Sequence, residues 1–237
     1  MMKVTFLDHS GFLVELDSVT LLFDWWKGAL PPLPDKPLLV LVSHAHPDHF
    51  QSGIFRLDDG TRSVRYLLGS DIVLSAENRR RWGVSPQTAG KVFRLGGNET
   101  IHPLPGVTVE TLPSTDEGVA WLVTADGQTI FHAGDLNWWH WEGEPDPWNP
   151  DIARLFFQYT EPLRDRTIDL AMLPLDPRQR EDGFRGASYL LEIADIRRWI
   201  PMHLWGDYDY MDAFLFRYPS FEANACPVRR RGEQFEF

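Results

Sequence analysis

Short apolar blocks separated by polar breaks run through the chain, and their spacing predicts strands in the first half. Lys3–Leu7 is typical of a strand, and Gly11–Leu16 with Val19–Phe23 is typical of a hairpin that turns at Asp17-Ser18. Further strands are predicted at Leu38–Val42, Val64–Leu68, Lys91–Leu95, Val107–Leu112, Val119–Thr124, Gln128–Phe131, Ile168–Leu173, Trp199–Met202 and Val228–Phe237.

Helical periodicity appears mainly in the second half of the chain, where helices alternate with strands. Predicted helices are Phe50–Phe55 as a short turn, Asp71–Trp82 capped by Ser70, Trp148–Tyr159, Ser188–Arg198 and Tyr208–Phe216. Pro174–Gly186 is predicted as a polar loop. Because no linker or repeat interrupts the pattern, residues 1–237 are expected to form one mixed α/β (α+β) domain. Strands followed by alternating strands and helices favour a four-layered αββα sandwich.

The stretch Leu38–Phe50 carries the strongest chemical signal. Its apolar run Leu38–Val42 has no polar break, which is typical of a strand buried on both faces. Four ligand-type side chains then follow within six residues: His44, His46, Asp48 and His49. Imidazole and carboxylate groups suit zinc and neighbouring divalent ions. Four such residues packed this closely are hard to explain as unrelated surface or core residues, so the stretch predicts a metal site.

Charge and cysteine content narrow the functional classes. The formal net charge of −11 argues against a general nucleic-acid-binding surface, which would need a basic footprint. Cys226 is the only cysteine, so no intrachain disulfide can form and a reducing compartment is expected. The sequence shows no apolar run near the ~20 residues of a membrane span and no signal peptide. We therefore expect a cytoplasmic protein with no membrane partner; its oligomeric state is not predicted.

The hexapeptide HAHPDH resembles the HxHxDH signature of the metallo-β-lactamase fold hydrolases. Other pieces of that pattern follow in order: His9–Leu16 with Leu21–Asp24, then Phe131–Asp135, then Ile200–Gly206. Together they are most similar to the branch that includes the ascorbate-phosphate lactonases. The resemblance implies a metallo-β-lactamase-type αββα sandwich with metals at one edge, between two sheets.

The resemblance also implies roles for residues that are ambiguous by themselves. Asp135 would bridge two metals, although Gly134-Asp135 is equally a common turn; His203 would complete the second site, although a lone histidine is often structural. One ligand set would be Asp48, His49, Asp135 and His203, and the other would contain His44, His46 and Asp135. Asp24 would brace the metal loop by hydrogen bonds, although a purely structural role as a cap in its own loop explains it equally well. His9 is placed near the metals, with anchoring of the hairpin slightly favoured over ligation.

One ligand of the family pattern has no counterpart here. The family places a histidine after the strand matching Val107–Leu112, where this chain has Pro113–Gly118. Asp116 is a reasonable oxygen ligand for that position and Thr115 a poor one, while His102 lies at the far end of the strand. We therefore expect the first site to be weaker, re-liganded or empty.

Aromatic and basic residues near these motifs are candidates for substrate binding. Trp138 and Trp139 follow Asp135 in a loop without clear periodicity, which favours a pocket wall or lid over plain core. Arg178, with Arg180 and Arg185, lies in the loop after Ile168–Leu173 and could hold an anionic group. A solvated loop explains these arginines equally well.

The sequence thus predicts a hydrolase that uses one or two divalent ions, zinc or manganese. A metal-activated water would attack a small anionic ester, lactone or phosphoester, with Asp48 as both ligand and proton acceptor. Two alternatives stay open: a phosphodiesterase or nuclease of the same fold, and a non-catalytic metal-binding protein with a degenerate first site.

Overall fold

Two β-sheets packed face to face form the centre of the computed structural model, which describes residues 1–237. The first sheet has the order β15-β1-β2-β3-β4-β5-β6, and the second has the order β14-β12-β10-β9-β8-β7. The strands are β1 Lys3–Asp8, β2 Gly11–Glu15, β3 Thr20–Phe23, β4 Leu38–Val42, β5 Val64–Gly69, β6 Val92–Leu95, β7 Thr100–Leu104, β8 Val107–Pro113, β9 Val119–Ala125, β10 Gln128–His132, β11 Thr167–Ile168, β12 Leu170–Pro174, β13 Asp195–Ile196, β14 Trp199–Met202 and β15 Gln234–Glu236.

Helices cover the outer faces of the sheets. They are α1 Ala76–Trp82, α2 Pro86–Ala89, α3 Trp148–Thr160, α4 Arg185–Ile193 and α5 Tyr210–Arg217, with 3-10 helices at Ser52–Leu57, Glu161–Leu163, Pro177–Phe184 and Pro219–Asn224. Helix α3 contacts β8, and α4 contacts β12. No helix is both long enough and apolar enough to cross a membrane. The layering confirms the predicted αββα sandwich.

Strand β4 shows why an unbroken apolar run was needed. Leu39 and Leu41 belong to the large apolar cluster that joins the two sheets. Leu38, Val40 and Val42 point the other way, into a smaller cluster that contains Ile54 and Phe55 of the outer layer. Since successive side chains of a strand face opposite sides, burial on both sides requires apolar residues at every position.

Several element predictions differ from the structure. The closing strand predicted at Val228–Phe237 is formed only by Gln234–Glu236. Three other differences have clear physical reasons. Helix α1 begins at Ala76, because the Ser75 hydroxyl accepts the Asn78 amide as its N-cap. Helix α4 ends at Ile193, because Asp195–Ile196 pairs in parallel with Thr167–Ile168. Strand β7 was missed; it contains Pro103, which is tolerated because β7 lies at the sheet edge.

Candidate metal centre

The candidate ligands meet at one end of the two sheets because each follows a strand. In the first sheet, His9 follows β1, Asp24 follows β3, and the His44–His49 segment follows β4. In the second sheet, Asp116, Asp135 and His203 follow β8, β10 and β14. Strand β3 is parallel to β4, and β10, β12 and β14 are parallel to one another. Carboxyl ends of parallel strands share one edge, where α/β proteins commonly place ligands.

Two groups of potential metal donors result. The first donor set is His44, His46, Asp116 and Asp135; the second donor set is His9, Asp48, His49 and His203. Within each set the ligand atoms all lie within 4.8 Å of one another. The structure therefore brings together every residue named above as a candidate metal ligand, with Asp116 in the set that lacks the family's third histidine.

Asp135 lies between the two sets. Its Oδ2 is 3.7 Å from His44 Nε2, while its Oδ1 is 3.2 Å from His49 Nε2 and 3.6 Å from His203 Nε2. One carboxylate oxygen thus faces each donor set. This arrangement suits a bridging carboxylate.

Asp24 and Ser43 fix the orientation of two of the imidazoles. Asp24 is fully buried and accepts hydrogen bonds from the Ser43 amide at 2.7 Å, the Ser43 hydroxyl at 2.6 Å and His49 Nδ1 at 2.7 Å. Because the Ser43 hydroxyl donates to Asp24, its oxygen accepts from His44 Nδ1 at 2.9 Å. Both Nδ1 atoms are donors in these bonds, so Nε2 of His44 and of His49 is the ring nitrogen left to face a cation.

His203 is oriented in the same way by Asp176, a residue that the sequence reasoning missed. The fully buried Asp176 accepts from His203 Nδ1 at 3.0 Å and also from the backbone and guanidinium of Arg178. Asp176 follows β12 by two residues, in the segment predicted only as a polar loop. The only sign of this role in the sequence is that Asp176 follows a buried strand, and an acidic residue that merely caps a loop occupies the same kind of position.

His132 has no role in the sequence predictions, and the structure shows that it supports the turn that carries Asp135. Its ring is fully buried, stacks on Phe23 with centroids 5.0 Å apart, and donates from Nε2 to the Ser10 carbonyl at 2.8 Å. Its Nδ1 accepts the Gly134 amide at 3.1 Å. His132 therefore holds the turn that carries Asp135 and is not itself a donor.

The donor atoms fit a bound cation. His9 Nε2, His49 Nε2 and Asp135 Oδ1 are buried and have no hydrogen-bond partner. Against its burial, Asp135 and Asp24 raise the pKa of His49 well above the usual value, so the local field favours a positive charge there. Unpaired buried polar atoms are costly, and a divalent ion would satisfy all three.

Electrostatics also set the protonation states that ligation needs. Burial and the neighbouring His49 lower the pKa of His44 to about 4, so its imidazole is neutral at pH 7. Although burial opposes charge, His9 Nε2, which lies 3.3 Å from Asp48 Oδ2, and the neighbouring His49 hold the pKa of Asp48 well below its usual range. Burial opposes charge at Asp176 too, yet His203 and Arg178 lower its pKa to about 2. Asp48 and Asp176 are therefore ionised at neutral pH.

His9 lies near the other candidate ligands, one of the two positions expected for it, whereas anchoring of the hairpin was slightly favoured. Its carbonyl does accept the His203 amide at 3.2 Å, but its Nε2 also belongs to the second donor set and lies 3.3 Å from Asp48 Oδ2. The reason is its backbone: φ is +54°, in the left-handed region, which turns the side chain into the site. Asp24 and His203 share this conformation, with φ of +40° and +64°. Such backbones cluster where surrounding structure enforces a functional geometry.

Two glycines allow the loops of both sheets to close on the metal segment. Gly118 and Gly134 have φ of +68° and +53°, and a Cβ at either position would overlap Ser43. The chain after β4 is therefore clamped between the loops after β8 and β10. This close approach fixes His44 relative to Asp135.

A cavity of about 300 Å³ opens over the two donor sets. It is lined by His46, Asp48, Thr115, Asp116, Asp135, Trp139, Trp141, Trp148, Arg178, His203 and Trp205. The Trp139 ring contacts His203 with centroids 5.5 Å apart, and its indole N–H donates to the Asp135 carbonyl at 2.9 Å. Arg178 lies over the rings of Trp141 and Trp205, at 5.5 and 4.5 Å from their centroids.

Trp138 does not line this cavity, contrary to the expectation. Its ring packs on α3 against Phe157, with centroids 4.7 Å apart, and carries the Arg185 guanidinium on its face. The neighbouring Trp139 points the opposite way, into the site. Arg180 is also turned outward, paired with Glu142 on the surface. Trp205 also lines the cavity; it lies outside the aromatic loop that follows Asp135, and the sequence reasoning missed it.

Comparisons with known proteins agree with this geometry. Residues 3–142 match a family model described as "Beta-lactamase superfamily domain". The chain is 31% identical over 218 residues to a UPF0173 metal-dependent hydrolase of Thermococcus kodakarensis, covering 86% of this chain and 84% of that protein.

Solved structures show the same fold. Igni18, a metallo hydrolase from Ignicoccus hospitalis, has a TM-score of 0.65 at 19% identity and covers 100% of this chain and 99% of its own. CmlA, a diiron β-hydroxylase from Streptomyces venezuelae, has a TM-score of 0.66 at 13% identity, covering 100% of this chain and 54% of its own. At these identities the likeness concerns the fold alone.

Proposed function

Because the chain belongs to the metallo-β-lactamase superfamily, we propose that it is a metal-dependent hydrolase acting on a small ester, lactone or phosphoester with an anionic group. The superfamily predicted from HAHPDH is confirmed, while the ascorbate-phosphate lactonase branch stays a prediction. The proposal rests on one observation above all. Buried nitrogen and oxygen atoms without partners converge under an open cavity, and hydrogen bonds hold the histidines in the tautomer that ligation needs.

The two donor sets differ in kind. The first offers two imidazoles and two carboxylates, and the second offers three imidazoles and one carboxylate. Oxygen-rich sets suit harder ions such as manganese, whereas nitrogen-rich sets suit zinc. Divalent ions held there would supply Lewis acidity toward a carbonyl or phosphoryl oxygen and would lower the pKa of a bound water.

The residues of the chain would then accept the proton, bind the substrate and exclude water. Asp48 is ionised, and its side chain, 23% exposed, lies on the cavity wall, so it can accept a proton from the attacking water. Arg178 is the only lysine or arginine that lines the cavity, and it would contact the anionic group of the substrate. The tryptophans would exclude bulk water from the reacting bond.

For an ester or lactone the reaction balances with water alone. The water oxygen bonds to the carbonyl carbon, the C–O bond to the alcohol breaks, and one water proton reaches the leaving alkoxide by way of Asp48. The other proton leaves when the product acid ionises. No oxidant, reductant or second substrate is needed.

The test combines metal analysis with turnover. Purified protein would be assayed on esters, lactones and phosphoesters before and after removal of metal by a chelator, and again after zinc or manganese is restored. We expect hydrolysis that disappears with the metal and returns with it. Metal binding without turnover on any class would favour the non-catalytic alternative. Activity confined to phosphodiesters of nucleic acids would favour the nuclease alternative.

A further inference from the structure

The cavity wall outside the two donor sets is aromatic. Five of the eleven lining residues belong to those sets. The others are Thr115, Arg178 and four tryptophans: Trp139, Trp141, Trp148 and Trp205. Whatever part of a substrate does not touch the metals must therefore contact mainly indole rings.

Little hydrogen-bonding capacity remains on this wall. The Thr115 hydroxyl donates to the Asn137 carbonyl at 2.6 Å and accepts the Asn137 amide at 3.0 Å. Indole N–H groups donate only, and Trp139 already donates to Asp135. Outside the donor sets, the acceptor capacity of the side chains is limited to the second lone pair of the Thr115 hydroxyl. A polyhydroxylated group would therefore find few acceptors for its hydroxyl hydrogens on entry and would lose most of the hydrogen bonds that these hydrogens donate to water.

The single cation on the wall is already largely neutralised. Arg178 donates from Nε and from one Nη2 hydrogen to the buried Asp176, which leaves its Nη1 edge, with both Nη1 hydrogens and the second Nη2 hydrogen, without a protein partner. Dianionic phosphate groups are usually bound by several charge-assisted donors, so this site is better matched to one negative charge at most.

We propose that the non-reacting part of the substrate is a flat aromatic or heteroaromatic ring with at most one negative charge. The ring contacts Trp141 and Trp205, and the charge meets the Nη1 edge of Arg178. A cavity of about 300 Å³ has room for a single ring or a fused pair. This inference rests on the proposed hydrolase function and narrows its substrate class.

Binding is tested separately from turnover. Tryptophan fluorescence of the metal-loaded protein would be titrated with benzoate, cyclohexanecarboxylate and gluconate, which share one carboxylate and differ in the rest. We expect benzoate to bind roughly tenfold more tightly than cyclohexanecarboxylate, because aromatic stacking adds to area burial, and gluconate to bind most weakly. Equal affinities, or a preference for gluconate, would overturn the inference.

Turnover is tested on three six-membered lactones: dihydrocoumarin, δ-valerolactone and glucono-δ-lactone. Each kcat/KM is divided by the uncatalysed rate in the same buffer. We expect the normalised value to be highest for dihydrocoumarin, and its ratio to δ-valerolactone to fall in Trp141→Leu and Trp205→Leu. Trp138→Leu is the matched control, since that ring lies outside the cavity; its ratio should equal that of the wild type.

The binding titration and the turnover assay together distinguish failure of this inference from failure of the proposed hydrolase function. Hydrolysis of esters or lactones with no aromatic preference overturns the inference and leaves the hydrolase function standing. Absence of turnover on every substrate class by the metal-loaded protein overturns the hydrolase function. In that case the carboxylate titration alone decides whether the wall selects aromatic rings.

Discussion

Replacing Asp176 by asparagine should loosen the second donor set without unfolding the protein. The carboxylate accepts from His203 Nδ1 on one side and from Arg178 on the other. Asparagine has one acceptor oxygen and one NH₂ donor, so the donor must face either His203 or Arg178. A buried donor left without an acceptor costs about 1–3 kcal/mol. Loss of such a supporting carboxylate typically lowers metal affinity or activity about 10–100-fold.

The assay is competition between the protein and a chelating dye for zinc. We expect the affinity of the tighter ion to fall about 10–100-fold in Asp176→Asn. Asp169→Asn is the matched control, because Asp169 is also buried and paired with an arginine, Arg197, but contacts no candidate ligand. Thermal melting of both variants without metal reports the change in stability alone. Unchanged zinc affinity in Asp176→Asn would refute the reasoning, as would an equal loss in Asp169→Asn.

Three further predictions concern Asp48, the two equivalents of metal and Cys226. Asp48→Asn should keep the fold but lower kcat by about 10²–10⁴-fold, and a variant with wild-type turnover would remove Asp48 from the mechanism. On dialysis against a mild chelator, one equivalent of metal should leave before the other, and simultaneous loss of both would contradict this. His46→Ala should remove the weakly held equivalent and His203→Ala the tightly held one, because the His46 side chain is 41% exposed and that of His203 only 3%. Burial raises the pKa of the Cys226 thiol to about 11, so a thiol reagent at pH 8 should label the unfolded protein but not the native protein. Between about pH 9 and 11 the thiol has lost its proton only in the unfolded state, so the free energy of unfolding should decline as the pH rises through this range.

The hydrophobic pattern predicted the sheets well because burial on both faces leaves a clear signature. Every residue of Leu38–Val42 is buried, as its unbroken apolar run requires. Strand β7 could not be found this way, since it lies at an edge, carries Pro103 and has exposed positions. Helix α1 was extended too far because Ser70 and Ser75 are equally good caps in sequence terms.

The candidate site was predictable where several ligands are neighbours in sequence and less so where the fold brings distant residues together. His44 to His49 form one local cluster. The position of the His9 imidazole depends on a left-handed backbone, and that of Asp176 on a hydrogen bond to His203, 27 residues later. Trp138 and Trp139 are adjacent and chemically equal; packing on α3 alone decides that the first faces away from the cavity.

The contribution of both sheets to each donor set has a consequence for the order of events in folding. His9 and the His44–His49 segment come from the first sheet, whereas Asp135 and His203 lie on the second, at residues far along the chain. A growing polypeptide exposes HAHPDH long before His203 is made. Loosely held metal could associate with that early segment, but tight capture must wait until the later strands have docked. High metal affinity would therefore be a property acquired last, and measuring it during refolding would report the moment at which the two sheets meet.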